Sequence, residues 1–384
     1  MKRYLKRALV FVVQIFMGAL LGVFLGFAIA KSEISGGQFV LLLIGGVFFC
    51  FLHIVIHEAG HGIFGTISGY KMVSFRILSF LWIWQEGGGI LFRRQKVPGT
   101  LGQCLMAPPA YSKEKYPFKL YLFGGVLANL ITSCLVGLLF LPDNLWAATF
   151  AIVGLGIALS NGIPMSFNDG MTIKIASSGE AQRYMLYLQF AVNQQTMAGK
   201  TYAELPQEYF ESLPESPKHT YFDDFLVFLN VSRAMDQQQW LRFKEQLEIL
   251  WLRHKDLVVL YQVELKRELL FCLCLFGGRD ARIAELMRDK IVRSKLKQPT
   301  MANLRTEAVY EYFVSDNQDA ALKKLEAGRQ AFPKEPNLGD AKAEMKLNQW
   351  LTEQIQNGFS GVSETPGVEA TEVSMATNVK NNAK

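Results

Sequence analysis

The chain has 384 residues, half of them hydrophobic, and 40 Lys and Arg against 34 Asp and Glu give a net charge of +6. That apolar content excludes a disordered protein, and five scattered cysteines without a paired CxxC spacing exclude a disulfide framework and a cysteine metal site. The positive excess sits largely beside apolar runs, so it speaks for membrane topology and not for nucleic acid as a partner.

Lys2, Arg3, Lys6 and Arg7 precede an apolar run from about Ala8 to Ala30, long enough to cross a bilayer as one helix. Its rival is a cleaved signal peptide, because Ala28-Ile29-Ala30 is small-x-small, but the run exceeds a typical signal core and a retained helix is preferred. After a loop at Lys31 to Gly37, a second span runs from about Gln38 to Gly65. It ends in His57-Glu58-Ala59-Gly60-His61. His57 and His61 are four apart, so both imidazoles leave one helix face and can share a zinc ion. Glu58 projects beside them as a general base for an attacking water. The short motif arises by chance, but ionisable groups inside a membrane-length helix usually mark function. His53 lies one turn earlier on the same face. It is either a third ligand or a supporting residue, and the supporting role is preferred, since three histidines on successive turns of a straight helix rarely converge on one ion.

The positive-inside rule puts the N-terminus in the cytoplasm and brings the second span to the cytoplasmic surface at its motif. The next loop agrees, with Lys71, Arg76, Arg93, Arg94, Lys96, Lys113, Lys115 and Lys119. Within it, Val73, Phe75 and Ile77 alternate with polar residues, Glu86-Gly87-Gly88-Gly89 makes a turn, and Ile90-Leu91-Phe92 follows. The expectation is an interfacial β-hairpin with Trp82 and Trp84 at the membrane surface. Met106-Ala107-Pro108-Pro109 breaks the chain before a third span at about Phe118 to Leu141. There Gly124, Gly125 and Ala128 permit close packing, and Asn129 is a lone polar residue suited to an interhelical hydrogen bond. Pro142-Asp143-Asn144 is an outer turn. A fourth span starts near Trp146 and is disrupted at Asn161-Gly162-Ile163-Pro164.

From about Ser177 the composition becomes soluble. Helix-spaced apolar residues occur at Ala181–Gln195, Tyr221–Ala234, Trp240–Arg253, Leu257–Phe276 and Arg279–Val292, and then in a last pair at Ala302–Val314 and Gln318–Phe332. Ala308, Ala320 and Ala327 partly match the small positions of a tetratricopeptide repeat, so a helical-repeat or bundle domain is expected, of a kind that binds partners. Residues 358–384 lack periodicity and are expected to be disordered.

Three separated motifs resemble those of the site-2 protease family of intramembrane zinc metalloproteases. They are His57-Glu58-Ala59-Gly60-His61, then Gly124-Gly125-Val126-Leu127-Ala128-Asn129, which is similar to a Gly-x-x-x-Asn stretch, and Asn161-Gly162-Ile163-Pro164 with Asn168-Asp169-Gly170. The last departs from the family's Asn-Pro-x-Pro and Leu-Asp-Gly at Gly162 and Asn168. The resemblance covers the first half of the chain. It implies Zn2+ held by His57, His61 and Asp169, catalysis by Glu58, substrate or oxyanion binding by Asn161, and a sheet edge beside the site that can hold an extended substrate; a purely structural interfacial hairpin is the alternative for that segment. Asn129 and His53 are candidates for supporting roles. Depth agrees for Asp169: His57 lies roughly 28 Å inward from Gln38 and Asp169 roughly 34 Å inward from Trp146 at the helical rise. Capping of a helix end remains the alternative for Asp169.

The expectation is therefore a mainly α protein: a polytopic membrane helix bundle of about four spans with an interfacial β-hairpin, followed by a soluble α-helical repeat-like domain. Its parts are an N-terminal helix and outer loop at 1–37, a metalloprotease core at 38–174, a cytoplasmic helical domain at 175–357 and a tail at 358–384. The expected activity is zinc-dependent hydrolysis of a peptide bond in a membrane-spanning or membrane-anchored peptide near the cytoplasmic face. The expected setting is the bacterial cytoplasmic membrane, with both termini in the cytoplasm. The alternative is a catalytically silent membrane-peptide-binding, immunity or scaffold protein whose helical domain binds a partner. Intact Glu58 argues against it, because binding alone needs no base.

Overall fold

The computed structural model describes residues 34–362, except 86, 96, 98, 99, 114, 141–143, 166 and 212–218, together with a few positions between 18 and 32. Most of the expected first span lies outside these residues, as do the turn at Pro142 and Asp143 and the tail after 362.

Among the described residues, three helices are long and apolar enough to cross a membrane: α1 (Gly36–Ile67), α2 (Phe118–Phe140) and α3 (Leu145–Gly162). Helix α1 opens on a capping box, in which Ser35 Oγ accepts from the Gln38 amide and Gln38 Oε1 accepts from the Ser35 amide. Its 32 residues extend for ~48 Å, more than the ~30 Å of a hydrocarbon core. Leu43, Ile44 and Val47 on α1 and Leu138 and Leu139 on α2 are exposed. A chain in water would bury such a continuous apolar surface; lipid would not penalise it. The buried residues of α1 are instead Leu42, His53, His57, Glu58, Gly60, His61, Gly62 and Gly65. The helix is polar inside and apolar outside.

Small residues set the spacing. A Cβ on Gly60 would lie 2.4 Å from the Gly124 carbonyl oxygen, so α1 and α2 touch through their backbones. Contacts run antiparallel between them, His57 against Gly125 and His61 against Tyr121. Between α1 and α3 they run parallel, Gly45 against Trp146, Phe49 against Phe150 and His53 against Gly154. Parallel packing brings the end of α3, and the turn after it, to the level of the motif on α1.

Between α1 and α2 the chain forms a four-stranded antiparallel sheet of β1 (Lys71–Ile77), β2 (Phe80–Trp84), β3 (Ile90–Arg94) and β4 (Gly102–Ala107), in the order β3-β2-β1-β4. This enlarges the expected hairpin. The alternation at Val73 to Ile77 is a strand, but Leu78 adopts φ 53° and turns the chain at once into β2. The glycines at 87–89, all with φ above 90°, join β2 to β3. Strand β4 pairs with β1 across a register shift between Met72 and Ser74. Phe80, Trp84, Ile90 and Phe92 are exposed on one face of β2 and β3, while Leu81, Ile83, Ser74 and Arg76 on the opposite face are buried.

Helices α4 (Asp169–Ala176) and α5 (Glu180–Met197) lead into α6 (Tyr221–Asp236), α7 (Trp240–Trp251), α8 (Val259–Leu275), α9 (Arg282–Arg288), α10 (Lys290–Leu296), α11 (Met301–Phe313), α12 (Gln318–Ala331) and α13 (Leu338–Gln356). The helix expected at Arg279–Val292 is broken at Asp289, whose Oδ1 caps α10 by accepting from the amides of Ile291 and Val292. Helix α13 lies beyond the last expected pair and buries Leu347, Leu351 and Ile355 at four-residue spacing. In the α11–α12 hairpin Ala308 is fully buried, but Ala320 and Ala327 are only half-buried; Ala321, Leu325 and Gly328 carry the contact. Buried Arg305 on α11 ties the bundle together, meeting Glu268 of α8 at 3.0 Å and Glu344 of α13 at 2.8 Å.

Candidate metal centre

The buried stripe of α1 presents His57 and His61 to the turn that follows α3. Three atoms converge there. His57 Nε2 lies 3.0 Å from Asp169 Oδ2, His61 Nε2 lies 3.4 Å from the same oxygen, and the two Nε2 atoms are 3.2 Å apart. A tetrahedral ion with ligand bonds of ~2.0–2.1 Å separates its ligand atoms by about 3.3 Å. The three edges of this triangle match that spacing, so His57, His61 and Asp169 could together hold one metal ion. His61 Nδ1 lies 2.9 Å from the Tyr121 carbonyl oxygen. A carbonyl only accepts, so Nδ1 carries the proton and Nε2 keeps its lone pair for the triangle.

Asp169 is the first residue of α4, and its neighbour fixes it. Asn168 Oδ1 accepts from the amides of Met165 and Met171, while its Nδ2 donates to the carbonyls of Ser160 and Ile163. One side chain thus ties the end of α3, the turn and the start of α4. A Cβ at Gly170 would lie 2.2 Å from the Gly162 carbonyl oxygen, so only glycine lets α4 start this close to α3. The N-cap is Asn168 and not Asp169. That leaves the Asp169 carboxylate free of capping duty and directed at the histidines.

Glu58 is 8% exposed and lies against β4. A Cβ on Gly102 would stand 2.4 Å from Glu58 Oε1, so glycine at this strand position makes room for the carboxylate. Arg76, buried on β1, donates from Nη1 to the Leu78 carbonyl at 2.6 Å and from Nη2 to the Gly102 carbonyl at 3.2 Å. Burial draws its pKa down and the nearby Glu58 carboxylate opposes this. Strand β4 therefore forms one wall of the site.

The supporting candidates are also in place. His53 is not part of the triangle. Its Nδ1 lies 3.0 Å from Asn129 Oδ1, and Asn129 Nδ2 lies 3.3 Å from His57 Nδ1. Asn161 differs. Its Nδ2 donates to the Ile157 carbonyl of its own helix at 3.0 Å, and among the described residues it has no hydrogen bond to the triangle.

Sequence reasoning missed Asn168, Gly102 and the Tyr121 carbonyl. An Asn immediately before Asp-Gly at a helix start is an N-cap signal and could have been found. The other two depend on which strand and which helix face the motif, and sequence spacing carries no such signal. Comparison with protein-family models, curated proteins and solved structures gives no match.

Proposed function

We propose that the protein is an intramembrane zinc metalloendopeptidase that cleaves a membrane-spanning or membrane-anchored peptide. The observation that carries this reading is the triangle of His57, His61 and Asp169 donor atoms with Glu58 beside it, on the inside of a bundle whose outer surface is apolar. A zinc ion there would acidify an attacking water and polarise the scissile carbonyl. Glu58 takes the proton from that water and returns one to the leaving amine. The sheet wall keeps bulk solvent from the carboxylate. To bind substrate or its oxyanion, Asn161 exchanges its bond to Ile157 for one to the peptide. Among the described residues the outer edge of β3 has no strand partner, so it can pair with an unwound peptide. The bundle after α4 is the candidate surface for a protein partner.

The test uses the full chain in lipid vesicles with a panel of single-span peptides. Internal cleavage should stop on chelation and return when zinc is restored. Cleavage that persists in the metal-free protein overturns the reading, and peptide binding without cleavage by the zinc-loaded protein supports the silent alternative.

The proposed orientation places the start of α1 outside and the sheet and helical domain in the cytoplasm of a bacterial cell. Single cysteines at Ser35, Thr100 and Ser178, in a cysteine-free background, should differ towards a membrane-impermeant thiol reagent. In intact cells only the Ser35 position should react, and external labelling at Thr100 or Ser178 refutes the orientation.

A further inference from the structure

His53 and Asn129 lie behind His57, away from the triangle, and both are fully buried. The Asn129 carboxamide stands between the two imidazoles, with Oδ1 placed 3.0 Å from His53 Nδ1 and Nδ2 placed 3.3 Å from His57 Nδ1. On its far side, His53 Nε2 lies 3.0 Å from the Phe150 carbonyl oxygen on α3. The space is shaped for these rings. A Cβ on Gly154 would lie 2.2 Å from His53 Cε1, and one on Gly125 would lie 2.6 Å from His57 Cε1.

Donor counting gives the chain a direction. The Phe150 carbonyl can only accept, so His53 Nε2 carries a proton and, in a neutral ring, His53 Nδ1 accepts. The two ends of a carboxamide are nearly isosteric, and the hydrogen-bond network decides which is nitrogen. With Oδ1 towards His53, as placed, both His53 nitrogens would have to donate, putting a charged ring in a buried apolar bundle, so the count turns the amide over. With Nδ2 towards His53, every ring is neutral and every bond has one donor and one acceptor. Oδ1 then faces His57 and accepts from Nδ1–H, which leaves the lone pair on Nε2, the atom in the triangle.

We propose that Phe150, His53 and Asn129 form a hydrogen-bonded relay that fixes the tautomer of His57, so that its Nε2 is always presented as a metal ligand. His53 and Asn129 are positioning residues: they act on the metal through His57 and do not touch it. The relay rests on the metalloprotease reading above and gives it a part that metal affinity alone can test. The carbonyl of α3 sets His53, His53 sets the amide, and the amide sets His57.

The experiment measures zinc affinity of the purified full chain in detergent by competition with a chromogenic chelator. Asn129→Leu keeps volume but removes the acceptor, and affinity should fall about 10–100-fold, as for loss of other partners behind a ligand. Asn129→Asp keeps an acceptor for His57 Nδ1–H and offers its second oxygen to a protonated His53, so affinity should stay within about threefold of wild type on the same scale. His53→Phe keeps a ring but frees the amide to turn, and should cost about tenfold. A purely packing role for Asn129 predicts the reverse order, with leucine tolerated and the buried aspartate costly. Equal affinity of wild type and Asn129→Leu, with His57→Ala much weaker, overturns the relay and leaves the metal site standing. If Asn129→Leu does not fold, His53→Phe against Asn129→Asp decides the point, and wild-type affinity in His53→Phe overturns the relay. A wild type that binds zinc no better than His57→Ala overturns the metal site and the relay together.

Discussion

Replacing Glu58 by glutamine should abolish peptide cleavage while leaving bound zinc unchanged. The two side chains have the same length, so the contact with Gly102 and the packing of α1 on the sheet are kept. The triangle of His57, His61 and Asp169 does not include Glu58. What is lost is the group that takes a proton from water and passes one to the leaving amine. General-base loss typically lowers the rate about 10²–10⁴-fold. Single-turnover cleavage of a defined membrane peptide, beside zinc content of the same preparation, measures both halves. Near-normal cleavage by Glu58→Gln would remove the assigned base and with it the proposed mechanism. Loss of zinc together with activity would instead mean that Glu58 holds the site together.

The parts of this molecule that are legible in its sequence are those where one segment carries its own signal. His57 and His61 share a face because of helical geometry alone, and length with apolar composition marks α1, α2 and α3. The β2–β3 hairpin announces itself through Gly87-Gly88-Gly89. Strand β4 does not, because Gly102–Ala107 has little alternation of its own and is a strand only by pairing with β1, far earlier in the chain. The register shift at Met72 to Ser74 further blurs the period. The α11–α12 hairpin occupies the segments that its periodicity marks, and Ala308 is buried as marked, but on α12 the buried face is one position away from Ala320 and Ala327, since burial there is set by the facing helices α11 and α13. Asn168 departs from a family pattern, and its four hydrogen bonds show a residue that carries the turn by itself. Glycines at 102, 125 and 154 are legible only once the side chain that fills each space is known.

Asn168 also decides what Asp169 should do under mutation, and this gives the second large expected effect. At a helix start an aspartate serves most simply as a cap, and a capping Asp replaced by Asn costs little, because Asn caps equally well. Here the capping acceptor is already supplied by Asn168, one residue earlier. The Asp169 carboxylate is spent on His57 Nε2 at 3.0 Å and His61 Nε2 at 3.4 Å, and only a metal ion or a shared proton lets three such acceptors face one another. An asparagine in place of Asp169 would retain the size and could turn its oxygen to the triangle, but it would be a neutral and much weaker ligand. Zinc affinity of Asp169→Asn should therefore fall by more than the ~10–100-fold expected for partners behind a ligand, and cleavage should fall with it. Zinc titration and cleavage are to be measured on Asp169→Asn beside His57→Ala, with helix content by circular dichroism as the check that α4 still starts where it does. Full zinc and full activity in a folded Asp169→Asn protein would move the third ligand elsewhere and return the triangle to a hydrogen-bonded cluster.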